Sequence, residues 1–473
     1  MNECYLMRER MQKISTISDS CHEKNRTESE GYRGVQTFIG ITENNLTEVH
    51  FTQDNLLEHI LSPDNLNKAY KQVVSNHGSG GVDGMETDEL LPWLRLHKDE
   101  LSAAIRQGKY RPDPVLRVEI PKDGGKKRQL GIPTIVDRFV QQSISQVLSS
   151  IYEREFSDNS YGFRPKRSCH DALRQAQTYI TSGYKYAVDL DLEKFFDTVN
   201  HSRLIELLSR RIKDGRVVSL IHKYLLAGVQ IGNNLEDSLS GVPQGGPLSP
   251  LLSNIMLNEL DNELERRGHP FVRYADDCLI FCKSKRASER TKVNIIRFIE
   301  EVLLLRVNND KTSVGTVRGM KFLGYSFYVK SGECRLNVHP KSYDKLKTRL
   351  KELTGRSNGM GYEKRKTSLR LFICGWLEYF KLADMKSRLQ TLDEWYRRRL
   401  RMCIWKCWKK TKTRFNNLCK CGIDKGKAWE WANTRKGYWH LSNSYILARA
   451  LNNDNLKRAN YPFLLDCYRK VVS

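Results

Sequence analysis

The sequence predicts an α+β body followed by an all-α tail. Strand-type runs alternate with helix-type patterns up to about His339, and beyond it the pattern is helical almost without a break. The charge divides at the same place. Residues 1–340 carry 47 Lys/Arg against 44 Asp/Glu, a net of +3, whereas residues 341–473 carry 32 against 11, a net of +21. Seven of the eight tryptophans also lie in that basic part. A merely solvated basic surface has no need of tryptophan, so this tail points to a segment that binds nucleic acid, joined to a near-neutral catalytic body.

The elements follow in order. Residues 1–51 are polar and without clear periodicity, so they read as a loosely ordered extension. NLLEHILSPDNLNKAYKQVVSN, from Asn55, carries two helical patterns broken at Ser62-Pro63-Asp64, where a helix N-cap falls. GSGGVDGM (78–85) reads as a flexible connector. VLRVEIPKDGGKKRQLGIPT (115–134) alternates and turns at Asp123-Gly124-Gly125, which predicts a β-hairpin with a basic tip. DRFVQQSISQVLSSIYEREF is an amphipathic helix, and YKYAVDLDLEKFFDTVN passes from strand into helix. GVPQGGPLSPLLSNIMLNELDNELERR is a Gly/Pro-rich loop feeding a long helix. A hairpin FVRYADDCLIF, a helix over 288–304 and the strand pair KFLGYSFYVK and ECRLNVH complete the body.

No run approaches the roughly 20 apolar residues of a membrane span, and the N-terminus lacks the apolar core of a signal peptide. A soluble cytoplasmic protein is therefore expected, with its 12 scattered cysteines as free thiols.

The chemistry centres on aspartates. Asp276 and Asp277 fall at the tip of the FVRYADDCLIF hairpin, where an isolated pair would serve as turn formers. A second carboxylate site changes that balance, because Asp191 ends the strand KYAVDLD. Carboxylates at two neighbouring strand ends can converge on Mg²⁺, which takes one or two carboxylates plus phosphate oxygens. Two such ions activate a hydroxyl and stabilise a leaving pyrophosphate. Cations would also relieve the repulsion between adjacent carboxylates.

YADD (274–277), VDLDLEKFFDTVNH (188–201), SYGFRPKRSCHDAL (160–173), GVPQGGPLSPLLSNI (241–255) and RVNNDKTSV (306–314) occur in the order found in reverse transcriptases. IPKDGGKKRQLGIPTIVDR (120–138), FLGYSF (322–327), GWLEYFKLAD (375–384) and WYRRRLRMCIWKCWKK (395–410) extend the likeness across about 52–473. The chain resembles group II intron-encoded reverse transcriptases and maturases, most closely the compact bacterial group IIC type that lacks an endonuclease domain.

That resemblance implies a right-hand polymerase fold. Fingers and a palm with an antiparallel sheet would span 52–339, a helical thumb or maturase X domain 340–411, and a small basic α-helical DNA-binding domain 412–473. It implies an RNA-directed DNA polymerase that also binds its intron RNA to assist splicing. Asp191 and Asp276 would be the main ligands of two Mg²⁺ ions (Mn²⁺ as a substitute). Asp277 would be a less direct third ligand, since neighbours on a strand face opposite ways. Asp189 would be a decoy one step back. Lys122 and Arg128 would hold the triphosphate of a dNTP, Gln244 would contact the nucleotide, and Lys311 would meet the leaving pyrophosphate. Phe196 would exclude a ribose 2′-hydroxyl.

Arg164, Arg397, Arg398, Arg401, Lys409 and Lys410 would contact nucleic acid: intron RNA, or an RNA template with a DNA primer or target DNA. Trp395 and Trp408 are candidates for base stacking, and Trp376 and Trp405 for packing. Cys403, Cys407, Cys419 and Cys421 form C-x₃-C…C-x-C, whose second half is tight for zinc, so no zinc is expected. No His-Asn-His nuclease pattern follows Arg435, so second-strand cleavage is not expected. Two other readings share these motifs: a domesticated reverse transcriptase in DNA repair or phage defence, and a non-catalytic splicing cofactor. The second would be marked by degenerate carboxylates, and all three are present.

Overall fold

The computed structural model describes residues 55–121, 127–232 and 234–472. The expected extension, 1–51, lies outside them. The chain forms two compact units, one of His50–His339 and one containing Pro340–Ser473.

The first unit opens with α1 (Leu56–Ile60) and α2 (Pro63–Ser75), broken as expected at Ser62-Pro63. Proline suits the first helical turn, where its missing N–H would have no partner. The Ser62 hydroxyl does not cap α2; it donates to the His59 carbonyl at 2.8 Å. After α3 (Leu90–Arg106), strands β1 (Val115–Pro121) and β2 (Lys127–Ile132) pair antiparallel. The turn between them, with Lys122, lies outside the described residues. The connector at 78–85 is held more firmly than its glycines implied. A Cβ on Gly81 would come 2.6 Å from the Thr134 α-carbon, and Arg138 donates to the Ser79 carbonyl.

Helix α4 (Ile135–Tyr152) starts on Thr134, whose side-chain oxygen accepts the Asp137 N–H. The Asp137 carboxylate is buried and accepts hydrogen bonds from the Tyr110 hydroxyl at 2.6 Å and the Thr134 hydroxyl at 2.7 Å. Burial nevertheless pushes its pKa up to about 6. The folded state therefore favours the neutral acid. That contribution is complete below the usual value near 3.8 and is lost as pH rises through about 6. Asp137→Asn is accordingly expected to flatten the stability profile between those two pH values. Urea midpoints of both proteins across that range check it, and parallel profiles would exclude Asp137 as the titrating group.

The palm sheet has the order β6-β7-β3-β8, all antiparallel: β3 is Tyr186–Leu190, β6 Phe271–Tyr274, β7 Asp277–Cys282 and β8 Ser313–Thr316. Strand β7 lies inside the sheet, and Cys278 to Cys282 are all buried, so its sequence is a continuous apolar run. The helices Cys169–Thr181 (α5), Ser249–Arg266 (α9) and Lys285–Glu301 (α10) belong to the same body. Most of α9 is buried, including Asn254 and Asp261. Between β3 and α9 run α6 (Phe195–Thr198), α7 (His201–Arg211) and α8 (Gly215–Leu225). A second sheet, β2-β1-β4-β5, adds β4 (Val229–Ile231) and β5 (Asn234–Glu236) to the first hairpin. The pair after β8 becomes three antiparallel strands, β9 (Lys321–Phe322), β10 (Tyr325–Lys330) and β11 (Glu333–Val338).

Among the described residues the second unit is helical. Its longest helix, Lys386–Cys407, buries Leu389, Leu392, Tyr396, Leu400 and Trp405 on its inner side. The helix Leu464–Val472 returns to it: the Asp393 carboxylate accepts the N–H groups of Leu464 and Leu465, both at 2.9 Å. A carboxylate placed at a helix N-terminus satisfies donors that have no partner within the helix. Residues on both sides of the expected 411/412 division thus share one compact unit.

Candidate active site

The site forms where β3 and β7 run out. Leu190 pairs with Cys278, and the next residues along these two strands are Asp191 and Asp277. Asp276 is not Asp277's neighbour on a strand. It lies in the two-residue turn Ala275-Asp276 between β6 and β7, where Ala275 adopts a left-handed φ of +56°. The turn redirects Asp276, so Asp276 lines the cleft together with Asp191. Asp277 opens β7 and is exposed.

The turn is fastened from beneath. Arg273 is fully buried and makes a two-bond ion pair with Asp261, at 2.7 and 2.6 Å. Its remaining guanidinium nitrogen donates to Asn254 Oδ1 and to the Ala275 carbonyl, each at 3.0 Å. Asn254 Nδ2 in turn donates to the Gly162 carbonyl. A Cβ on Gly162 would come 2.2 Å from the Ala275 nitrogen, so only glycine allows that approach. Nothing in the sequence singles out Arg273, Asn254 and Asp261 as a unit. Their only local signal is a charged residue inside an otherwise apolar strand.

Acidic groups crowd the sheet end. Asp189 pairs with Leu279 and Ser313. Burial, and then the charges of Asp277 and Asp191, push its pKa up to about 6. The expected decoy is therefore part of the electrostatics of the site. Lys311 partly balances it: its ammonium lies 3.0 and 3.2 Å from the two Asp191 carboxylate oxygens. The segment bearing Lys311 is tied down, since the Asn308 N–H donates to the Asp191 carbonyl and the Asp191 N–H to Thr312 Oγ1.

One cleft is lined by Asp191, Asp276, Lys311, Phe196, Gln244 and Arg128. Six residues from five segments of the chain therefore meet, and Lys122 lies outside the described residues. Asn308, Lys194 and Glu119 also line this cleft and were not singled out beforehand. Glu119 pairs with Lys127 at 2.5 Å across the first hairpin. Phe196 stands edge-on to the buried Phe195, with ring centroids 5.2 Å apart.

The expected nucleic-acid contacts divide. Arg164 corrects the expectation, because its guanidinium is turned inward. It binds the Glu153 carboxylate at 2.8 and 3.0 Å and donates to the Ser157 and Ser160 carbonyls, which occupies its donors. Lys409 and Lys410 are exposed. Arg397, Arg398 and Arg401 are half-buried. Arg398 stacks 3.9 Å above the Trp439 ring, Arg397 lies 5.6 Å from that of Phe463, and Arg401 donates to the Leu451 carbonyl. Trp405 is buried as expected, but so is Trp408, which removes it as a stacking surface. Trp429 and Trp439 are the exposed tryptophans among the described residues. Cys403 is buried and its thiol lies against the Thr354 carbonyl at 3.0 Å. Among the described residues no three His, Cys, Asp or Glu side chains converge as a ready metal cage.

Residues 120–327 match the family model of reverse transcriptase (RNA-dependent DNA polymerase), and residues 343–422 match that of the group II intron maturase-specific domain. Protein YkfC of Escherichia coli (strain K12) is 35% identical to the chain, over 59% of this chain and 85% of its own length. The chain belongs to the group II intron reverse transcriptase and maturase family. The group II intron-encoded protein LtrA of Lactococcus lactis subsp. cremoris is 32% identical over 61% of this chain, and the match spans 58% of LtrA. A chain of a solved partial Cas6-RT-Cas1--Cas2 complex is 25% identical over 52% of this chain and 42% of that one, with a TM-score of 0.34. No helix among the described residues is long and apolar enough to cross a membrane.

Proposed function

We propose that this reverse transcriptase and maturase is an active RNA-directed DNA polymerase, which binds its own intron RNA, assists its splicing and copies it into DNA during retromobility. The cleft carries this reading, because it brings acidic, basic, amide and aromatic side chains from five chain segments to one place.

The donor set fits Mg²⁺. All the donors are hard oxygens, and the negative charges of Asp191 and Asp277 stand close enough together for a cation to offset their repulsion. The lack of a three-ligand cage is no obstacle, because Mg²⁺ is commonly held by one or two carboxylates and completed by substrate phosphates. Asp191 and Asp276, supported by Asp277, would hold two Mg²⁺ ions, or Mn²⁺ in their place, which acidify an attacking hydroxyl and offset charge on a departing pyrophosphate.

The remaining roles belong to the chain's own side chains. Arg128 offers paired donors to the triphosphate of a dNTP, and Lys311 offers a point charge. Lys311 forms an ion pair with Asp191 at 3.0 Å. The same ammonium would also be within reach of a triphosphate bound in this cleft. Phe196 forms the wall that a ribose 2′-hydroxyl would strike, and Gln244 bounds the nucleotide from the opposite loop. The basic helical unit would hold intron RNA, and template with primer or target DNA, through phosphate contacts that weaken as salt rises. The setting for this would be the bacterial cytoplasm, on the nucleoid while DNA is bound.

The test is direct. Purified protein with Mg²⁺, dNTPs, an RNA template and an annealed DNA primer is expected to extend the primer, and the same preparation to accelerate splicing of its flanking intron. Accelerated splicing with no nucleotide incorporation would replace this reading with that of a non-catalytic splicing cofactor. Extension without any effect on splicing would favour a domesticated polymerase.

A further inference from the structure

The loop that carries Gln244 is fastened to the segment that carries Phe196, and the fastening runs through Gly241. The Gly241 N–H donates to the Val199 carbonyl at 2.8 Å, and the Val242 N–H donates to the Phe196 carbonyl at 2.6 Å. Gly241 has a φ of +92°, and a Cβ there would come 2.9 Å from the Phe196 carbonyl oxygen and 3.0 Å from that of Asp197. Such an approach requires glycine on both counts. His201, the first residue of α7, completes the junction. Its Nε2 lies 2.7 Å from the Gly241 carbonyl oxygen, and the residue is 6% exposed. A carbonyl can only accept, so Nε2 carries the proton and donates it. Burial lowers the imidazole pKa, which keeps the ring neutral at neutral pH.

The other flank of the loop is fastened too. The Gly131 N–H donates to the Gln244 carbonyl at 2.8 Å, and a Cβ on Gly245 would come 2.4 Å from the Gly131 carbonyl oxygen. One loop therefore spans from β2, which carries Arg128, to the segment bearing Phe196. Both walls of the nucleotide cleft hang on it.

We propose that His201 is a positioning residue for deoxynucleotide selection: its hydrogen bond to the Gly241 carbonyl holds the Phe196 wall and the Gln244 loop at a fixed separation. The inference rests on the polymerase reading. A wall excludes a hydroxyl only if it cannot retreat. The discrimination available from a single steric clash is limited, so a small added freedom consumes much of it. His201 touches no substrate in this scheme and acts through Gly241.

The experiment compares kcat/KM for a dNTP and the matching rNTP in the full-length protein, with RNA template and DNA primer. His201→Leu removes the donor at similar bulk, and is expected to narrow the dNTP:rNTP ratio about tenfold, mainly by raising rNTP incorporation. His201→Gln, which carries an amide donor at comparable reach, is expected to recover a large part of the ratio. Gly241→Ala strains the same junction from the other side and is expected to narrow the ratio as well. In a Phe196→Ala background, where the wall is gone, His201→Leu should change the ratio no further. An equal loss of both incorporations in His201→Leu would mean a merely structural histidine and would overturn the proposal. So would an unchanged ratio in folded His201→Leu and Gly241→Ala proteins. Failure of the wild-type protein to extend any primer would instead remove the polymerase reading on which the proposal stands.

Discussion

Asp276→Ala is expected to lower primer extension about a thousandfold or more, because it removes one of the two carboxylates through which the site would hold its cations. The fold should persist. Asp276 sits in a two-residue turn whose geometry depends on Ala275 and on the Arg273 guanidinium beneath it. Removing one negative charge beside Asp277 also creates no new repulsion. Thermal melting should therefore move little, while single-turnover extension collapses. RNA binding and splicing are expected to continue, since the basic unit, residues 340–473, is untouched. Asp191→Asn should give a similar loss of extension, and it also leaves the Lys311 ammonium without its carboxylate partner. Near-normal extension by Asp276→Ala would remove that residue from the chemistry.

The largest stability effect is expected at Arg273. Its side chain and that of Asp261 are 1% and 0% exposed, so each charge depends on the other. Breaking such a pair from one side leaves a buried charge uncompensated, at a cost of about 3–5 kcal/mol. Arg273→Met should reach that range in urea denaturation, and Asp261→Ala should do the same. The double replacement should cost less than the sum of the two, because it strands no charge. Arg273→Met protein that still folds at low temperature should extend primers poorly, since the Ala275 carbonyl loses its donor and the Asp276 turn its support. A loss below about 1 kcal/mol in Arg273→Met would show that the pair does not hold the turn.

Much of this site was legible in the sequence because its chemistry sits at the ends of locally defined elements. A strand announces itself by its apolar run, and the residue that follows it is then known. Asp191 and Asp276 were readable in that way, and so was the Gly/Pro-rich loop that carries Gln244. What was not legible depended on partners distant in the chain. Arg164 reads as a surface arginine in SYGFRPKR, yet Glu153 and two carbonyls draw it inward. Trp408 and Trp439 both lie in basic, Trp-rich stretches, but one is buried and the other half-open. No local pattern separates them, because exposure is decided by whichever helix packs alongside. The expected division at 411/412 followed a change in motif, whereas the fold carries Leu464 back to Asp393 and closes one unit across it.

The sequence by itself determined the order of elements, the charge contrast between the two units and the residue types available for catalysis. Those follow from periodicity and composition, which are local. Only the tertiary structure decided that Arg128, Phe196, Gln244, Lys311 and the two aspartates line one cleft. It also decided that a buried Arg273–Asp261 pair lies beneath the Asp276 turn and that His201 meets the Gly241 carbonyl. The reason is physical: a buried charge or donor is stable only beside its partner, and which residue becomes the partner is settled by packing.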